Sequence, residues 1–254
     1  MGQLSAREIA LGNEILRGIV GSTVNGTAVD DQADWDELGV FIEPAEKVCG
    51  LGSLDDYIRR DQPEGVRTGP GDVDLTLYSL RRFCRLAIVG NAGALMLLWL
   101  PDYVTRSEAG DALIRMRDAF ISRKTGERFV SYLVLQRKRL TRESGLGVKR
   151  PELVARHGYD TRYAMHALRV GYQGIGLMAE GRLPVPVEPA ELAVLRAVRA
   201  GEIPYDDVLG LIAETEARLR RLVEACERQT DIAAVEAFLV EAHLSHWGAV
   251  RRAR

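Results

Sequence analysis

The sequence predicts an α+β fold: a small mixed β-sheet with flanking helices, followed by an all-helical C-terminal domain. Residues 38–42, Leu-Gly-Val-Phe-Ile, form a compact run of apolar, β-branched and aromatic residues, which is typical of a buried strand. Residues 72–78 alternate acidic or polar with apolar side chains, the period of a strand with one buried face. After Tyr78, apolar residues recur at helical spacing almost to the end of the chain.

Helical periodicity defines most of the remaining elements. A first helix is predicted over 5–17, and a short β-branched segment then leads into Gly21-Ser22. Apolar stripes at i, i+3 and i+4 predict later helices at 80–87, 94–100, 109–123, 128–141, 161–179, 189–200, 206–228 and 233–242. We therefore divide the chain into a mixed α/β domain, 1–125, and a helical domain, 126–254, that closes a cleft.

Composition excludes several classes of protein. The net charge of -2 gives no global electrostatic argument for binding to nucleic acid or to a membrane surface. The three cysteines lie far apart without a metal-binding spacing, which argues against a disulfide framework or a zinc site and favours a cytoplasmic protein. The most apolar run, 86–100, is interrupted by glycines and is too short to cross a bilayer. We expect no membrane association; the oligomeric state stays open.

Carboxylates and a glycine-serine pair form the most informative pattern. Asp34 and Asp36 precede the buried strand, and residues two apart on a strand point to the same face, so both side chains can bind one cation. Carboxylate oxygens are ligands that Mg²⁺ prefers. Upstream, Gly21-Ser22 offers backbone N–H groups and a hydroxyl to a polyphosphate. A third carboxylate on a neighbouring strand would bind a second ion.

Two aspartates compete for that third position. Asp74 is the first candidate, and Asp72, on the same face of the predicted strand, is its competitor. Asp30 and Asp31 are better explained as turn residues.

The order of these motifs resembles the signature of the DNA polymerase β-like nucleotidyltransferase superfamily. Residues 21–40 contain Gly-Ser-x-x-x-Gly-Thr and then Asp-x-Asp-x-x-Gly-Val. This string is similar to one branch, the predicted bacterial and phage nucleotidyltransferases that include a group linked to RNA repair. Residues 74–83, Gly-Asn at 90–91 and residues 157–169 resemble later motifs of the same branch.

The resemblance implies a nucleotidyltransferase domain over 1–125. Asp34, Asp36 and Asp74 would be the catalytic residues and would hold two Mg²⁺ ions, with Mn²⁺ as the other candidate metal. Gly21 and Ser22 would hold the phosphates of a nucleoside triphosphate. The enzyme would transfer a nucleoside monophosphate to an acceptor hydroxyl and release pyrophosphate. The alternative is a non-catalytic nucleotide-binding module of the same fold, such as a sensor or a toxin–antitoxin or defence partner.

A polar helix face is the second candidate for contact with the triphosphate. On a helix starting near Asp160, residues Arg162, His166 and Arg169 share one face at i, i+4 and i+7. With Tyr159, they are our candidates for binding the nucleotide. The alternative is a packing face between domains, with Asp160 as the helix N-cap.

The acceptor is less well defined than the nucleotide. A basic cluster at 137–150 is either a solvated helix end or a binding site for a nucleic-acid backbone. A nucleic-acid end, a protein hydroxyl and a small molecule all remain candidate acceptors, and the preferred triphosphate is open. Five positions depart from the branch: Glu37 stands where an apolar residue is usual, Ala33 where a serine is, Ala92 where a proline is, Met96 where a glutamate is and Arg162 where a lysine is.

Overall fold

The computed structural model describes residues 4–28, 35–60, 73–141, 143 and 150–252. Within these ranges five strands form one mixed sheet. The strands are β1 Glu14–Val20, β2 Trp35–Phe41, β3 Asp56–Arg60, β4 Val73–Ser79 and β5 Thr105–Arg106. Their order across the sheet is β3-β4-β2-β1-β5. Only the central pair, β2 with β4, is parallel; β1–β2, β1–β5 and β3–β4 are antiparallel.

Helices cover the sheet and then continue as a helical region. The α-helices among the described residues are α1 Ala6–Gly12, α2 Gly21–Val24, α3 Ala45–Val48, α4 Leu80–Ile88, α5 Ala92–Met96, α6 Glu108–Arg115, α7 Arg123–Leu140, α8 Pro151–His157, α9 Thr161–Glu180, α10 Pro189–Ala200, α11 Tyr205–Glu224 and α12 Ile232–Arg252. Short 3-10 helices follow α5 at Leu97–Trp99 and α6 at Arg117–Phe120. This is the α+β architecture that the sequence predicts.

Alternation along the strands gives the sheet two apolar faces. Leu38 and Val40 on one face pack with α4 and α5, while Phe41 and Leu77 on the other face pack with Ile9 of α1. The larger core continues from the sheet into α7 and α9. The domain boundary predicted between residues 125 and 126 falls in the first turn of α7 and stays a prediction.

The structure corrects the first predicted helix. α1 ends at Gly12 with Asn13 as its C-cap, and residues 14–17, predicted as helix, belong to β1. The apolar spacing of this segment suits a helix, but the β-branched Ile15, Ile19 and Val20 favour a strand. The strand predicted at 72–78 is confirmed as β4 within a residue.

Several predicted boundaries also move. β2 begins at Trp35, so Asp36 lies inside the strand. The helix predicted at 109–123 divides into α6 and a 3-10 turn, and the one predicted at 206–228 ends at Glu224. The last helix, predicted to end at residue 242, continues to Arg252.

α12 continues because its C-terminal half packs back on the front of the chain. The buried carboxylate of Glu43 accepts a hydrogen bond from Arg81 Nε at 2.9 Å and lies 3.1 Å from His243 Nε2. Trp247 Nε1 donates to the Glu43 carbonyl at 2.8 Å. Burial alone would raise the pKa of Glu43, but the bonds from His243 and Arg81 outweigh burial and lower that pKa to about 2.

Among the described residues, no single helix is long and apolar enough to cross a membrane. Together, α4 and residues 92–99 have the length and apolar composition of a membrane span, but the pair is bent by 109°. The apolar side chains of this pair, such as Phe83 and Leu95, are buried in the larger core.

Glu43→Gln tests the anchoring of α12. We expect it to lower the free energy of unfolding by roughly 2–4 kcal/mol, because Arg81 and His243 lose a buried ionic partner. Folding lowers the pKa of Glu43, so its contribution is full above the unfolded pKa of about 4.3 and is lost as the pH falls towards about 2. In urea titrations, the wild type should therefore lose more stability than the variant between about pH 5 and pH 3.

The matched control is Glu188→Gln. Glu188 is the exposed partner of Arg182, at 2.7 Å, and its replacement should cost less than about 1 kcal/mol. Equal loss of stability with falling pH in the wild type and Glu43→Gln would contradict the role of Glu43.

Candidate active site

The parallel strands β2 and β4 place two carboxylates side by side. Asp36 is the register partner of Asp74, so the two side chains leave the same face of the sheet, where both strands begin. Carboxylates in this arrangement suit a divalent cation such as Mg²⁺. Asp34 and Asp72 lie outside the described residues, and within those residues no group of three His, Cys, Asp or Glu side chains forms a metal-binding cluster.

Gly21 lets the turn after β1 pack directly on Asp36. Its φ of +78° lies in the left-handed region that glycine adopts without cost. A Cβ atom at this position would also collide with the Asp36 carboxylate. Gly21, Ser22, Thr27 and Asp36 line one side of a cleft of about 380 Å³.

The opposite wall of this cleft is built by α7, α9 and the residue before α8. The side chains that line it are Tyr132, Gln136, Arg139, Arg150, Arg162, Tyr163, Met165, His166 and Arg169. Of the described lining residues, four are arginines and one, Asp36, is acidic. The cleft therefore combines a carboxylate edge with a wall that attracts anions.

A buried chain of hydrogen bonds joins the two walls. Asn25 Nδ2 donates to the Gly21 carbonyl at 2.5 Å, and Asn25 Oδ1 accepts from Gln173 Nε2 at 2.9 Å. Gln173 Oε1 in turn accepts from Arg169 Nη1 at 3.2 Å. Asn25 and Gln173 are 1% and 2% exposed, so neither amide has water as a substitute partner.

His166 is neutral in this setting. Burial lowers its pKa, and the surrounding guanidinium groups, Arg169 first, lower it further to about 3. The His166 Nε2 atom lies 3.2 Å from Arg169 Nη2, so a neutral ring accepts a bond from that guanidinium. Burial also lowers the pKa of Arg169, to about 10, which leaves this side chain charged at neutral pH.

Two further arginines flank the ring of Tyr163. The Cζ atoms of Arg150 and Arg139 lie 5.2 Å and 6.0 Å from the ring centroid, a cation–π arrangement. Arg150 also forms an ion pair with Asp160 at 3.2 Å. Asp160 is the N-cap of α9 and accepts from the backbone of Arg162 and Tyr163. The ion pair thus fastens Arg150 to the start of α9.

The structure brings most of the predicted nucleotide-binding residues together. Gly21, Ser22, Arg162, His166 and Arg169 all line the cleft. Tyr159 lies elsewhere: it is buried, and its hydroxyl donates to the Ile203 carbonyl at 2.8 Å.

The residues of the basic cluster at 137–150 lie in different places in the structure. Arg139 and Arg150 line the cleft, whereas Arg137 pairs with Glu216 on α11 at 3.3 Å. Arg142 and Lys149 lie outside the described residues.

Sequence reasoning missed Asn25, Gln136, Gln173, Tyr132 and Tyr163. Tyr132, Gln136 and Arg139 occupy one helical face at i, i+4 and i+7, which is visible in the sequence. Nothing in that spacing says that the face points at Asp36, about a hundred residues away, because the contact is tertiary.

A cleft with register-paired carboxylates on one side and arginines on the other is the arrangement expected of a DNA polymerase β-like nucleotidyltransferase. The model of the RNA repair pathway DNA polymerase beta family (RlaP) matches residues 4–240, and the chain belongs to this family. No curated protein matches the chain. Among solved structures, a nucleotidyltransferase-like protein from Exiguobacterium sibiricum 255-15 aligns at 13% identity over 98% of this chain and 77% of that one, with a TM-score of 0.30. The family suggests a nucleotidyltransferase-type function.

Gln173→Leu tests the bridge between the walls. We expect a loss of roughly 1–3 kcal/mol in the free energy of unfolding, because Asn25 Oδ1 and the Arg169 guanidinium each lose a buried partner. Gln229→Leu, the same change at an exposed position between α11 and α12, should have little effect. In the double variant Asn25→Val, Gln173→Leu the cost should fall below the sum of the two single changes, because both partners are removed. Additive costs in denaturant titrations would refute the bridge.

Gly21→Ala tests the packing of the turn on Asp36. Gly158→Ala serves as the control for backbone strain, since Gly158 has a φ of +82° but open space around it, and it should cost about 1 kcal/mol. Gly21→Ala should cost roughly 1–3 kcal/mol more, because the new Cβ must displace the Asp36 carboxylate. Gly12→Ala, with open space and no positive φ, should cost nothing. Equal costs for Gly21→Ala and Gly158→Ala would show that Asp36 does not pack on this glycine.

Proposed function

We propose that the cleft catalyses nucleotidyl transfer from a nucleoside triphosphate to an acceptor hydroxyl. The single observation that carries this proposal is the register pairing of Asp36 with Asp74 at a cleft whose other wall is rich in arginine. Neither half would suffice, because a carboxylate pair alone indicates a cation and an arginine wall alone indicates an anion. Together they suit a metal-bound polyphosphate.

The residues have distinct roles in this reaction. Asp34, Asp36 and Asp74 would hold Mg²⁺, which when bound stabilises the negative charge that develops on the reacting phosphate. Ser22 and the backbone N–H groups beside it hold the β and γ phosphates. Arg162 and Arg169 approach the phosphates from the opposite wall, and His166, being neutral, orients Arg169 rather than adding charge.

The chemistry is an in-line displacement at the α-phosphorus. The acceptor oxygen forms a bond to phosphorus and loses its proton to water, while the bond from phosphorus to the α–β bridging oxygen breaks and pyrophosphate leaves with that bond's electron pair. The guanidinium groups of the arginine wall stabilise the departing charge. An RNA end is the acceptor that we propose first, because the family description places such proteins in RNA repair and because Arg150, from the basic cluster at 137–150, lines the cleft.

Pyrophosphate release provides the test. Each of the four triphosphates is incubated with RNA, with and without Mg²⁺, and pyrophosphate is measured. We expect Mg²⁺-dependent release in the wild type and at least about a 100-fold lower rate in Asp36→Asn, because a carboxylate ligand is lost. The position of the label after incubation with a labelled triphosphate identifies the acceptor.

Glu37→Gln is the matched control. Glu37 is the next residue on β2, points to the opposite face and pairs with Arg17 at 2.7 Å. This variant should keep most of the activity, and thermal melts should show that both variants fold. Equal activity of the wild type and Asp36→Asn would contradict the proposal. Nucleotide binding without any pyrophosphate release would instead identify a non-catalytic module.

A further inference from the structure

Two polar groups of α7 face the cleft without a hydrogen-bond partner in the part of the chain that the structure describes. Gln136 is 4% exposed, lines the cleft and has no such partner among the described residues. Arg139 lies one turn further along the same face, and its buried Nε atom likewise has no acceptor in the described part of the chain. The two side chains stand beside each other, so a single ligand can reach both.

An unsatisfied buried polar group is costly. Leaving a fully buried atom such as Arg139 Nε without a partner costs about 1–3 kcal/mol, and native structures accept that cost mainly where a ligand or an ordered water supplies the missing bond. The buried amides of Asn25 and Gln173, which lie behind the cleft lining, are engaged in the bridge between the walls. Gln136 differs from them because its amide lines the cleft and bonds to none of the described residues.

The side chain of Tyr132, next to Gln136, indicates which class of ligand fits this part of the cleft. Tyr132, one turn before Gln136, is 37% exposed and lines the cleft, with its ring centroid 6.4 Å from that of His166. An aromatic face accepts a planar ring by stacking. An amide has one acceptor, the oxygen, and a donor nitrogen. A phosphate offers only acceptors and would leave the Gln136 oxygen unsatisfied, whereas a nucleobase edge offers donors and acceptors side by side.

We propose that Gln136 reads the edge of a nucleobase that stacks on Tyr132, with Arg139 donating to a base acceptor. This inference rests on the proposed function in one respect, since it assigns the base to the triphosphate whose phosphates lie at Gly21-Ser22. α7 then determines which nucleotide is used, while the sheet edge and α9 bind the part that all nucleotides share. The cleft of about 380 Å³ lies in the size range of small-ligand sites.

Binding, measured apart from turnover, tests the inference. ATP, GTP, CTP, UTP and inorganic tripolyphosphate are titrated calorimetrically in the presence of Mg²⁺ into the wild type and Gln136→Leu. The wild type should bind one triphosphate more tightly than the others. In Gln136→Leu this preference should fall roughly 10- to 100-fold, the value of a bidentate base contact, while the affinity for tripolyphosphate stays unchanged. Gln229→Leu, the same change outside the cleft, should behave as the wild type.

A second variant separates stacking from edge recognition. Tyr132→Leu should weaken all four nucleoside triphosphates by a similar factor and leave tripolyphosphate unaffected, because every base has a face for stacking. Gln136→Glu should change the order of preference, since a carboxylate keeps the acceptor but loses the donor.

Two outcomes would overturn the inference: equal weakening of tripolyphosphate and nucleotides in Gln136→Leu, or unchanged affinities for every ligand tested. The recognised base could instead belong to the acceptor strand, and titrations with single-stranded homo-oligonucleotides test this alternative. If Gln136→Leu weakens one oligonucleotide and none of the triphosphates, the base belongs to the acceptor and the assignment to the donor is wrong. Base-dependent binding in a protein that releases no pyrophosphate would refute the proposed reaction and leave base recognition intact.

Discussion

The cleft depends on the side chain of Gln173, a buried amide that makes bonds in two directions. Its nitrogen donates to Asn25, which holds the turn after β1, and its oxygen accepts from Arg169 on the opposite wall. Because water cannot replace either bond at 2% exposure, a shift of one wall relative to the other would leave charged or polar groups unsatisfied. The carboxylate edge and the arginine wall are thus held at a fixed separation by residues that need not touch a substrate.

The charges of the arginine wall attract anions to the cleft. Arg169 is held by two neutral partners, Gln173 and His166, and among the described residues it forms no ion pair. Burial first, and then the crowding of guanidinium groups, lowers the pKa of His166 to about 3, and the same two causes lower the pKa of Arg199. Such crowding is unfavourable, and the polyphosphate that we propose as the ligand would offset it on binding.

Local patterns made the carboxylate edge predictable from the sequence. Each element of this edge has a signal within a few residues. Glycine marks the turn at Gly21-Ser22, a β-branched run marks the strand bearing Asp36, and alternation of polar and apolar residues marks the strand bearing Asp74. α9 was also predictable, because its period and its N-cap are local. The start of β1 was not, since Ile15 and Leu16 continue a spacing that begins in α1. Asn25, Gln136 and Gln173 could not be identified, because their roles arise from contacts between distant segments that no short pattern encodes.

Two departures of this chain from its family branch, Glu37 and Met96, fall where the structure provides a partner. Glu37, at a position that is usually apolar, points away from the carboxylate edge and is neutralised by Arg17 on β1. Met96, at a position that is often glutamate, places its sulfur 3.5 Å from Asn25 Nδ2 and so packs against the bridge. Arg162 keeps the positive charge of the usual lysine and adds a planar fork suited to phosphate. All three changes leave the carboxylates and the turn at Gly21 untouched: Glu37 and Met96 lie around the site, and Arg162 lies in its arginine wall.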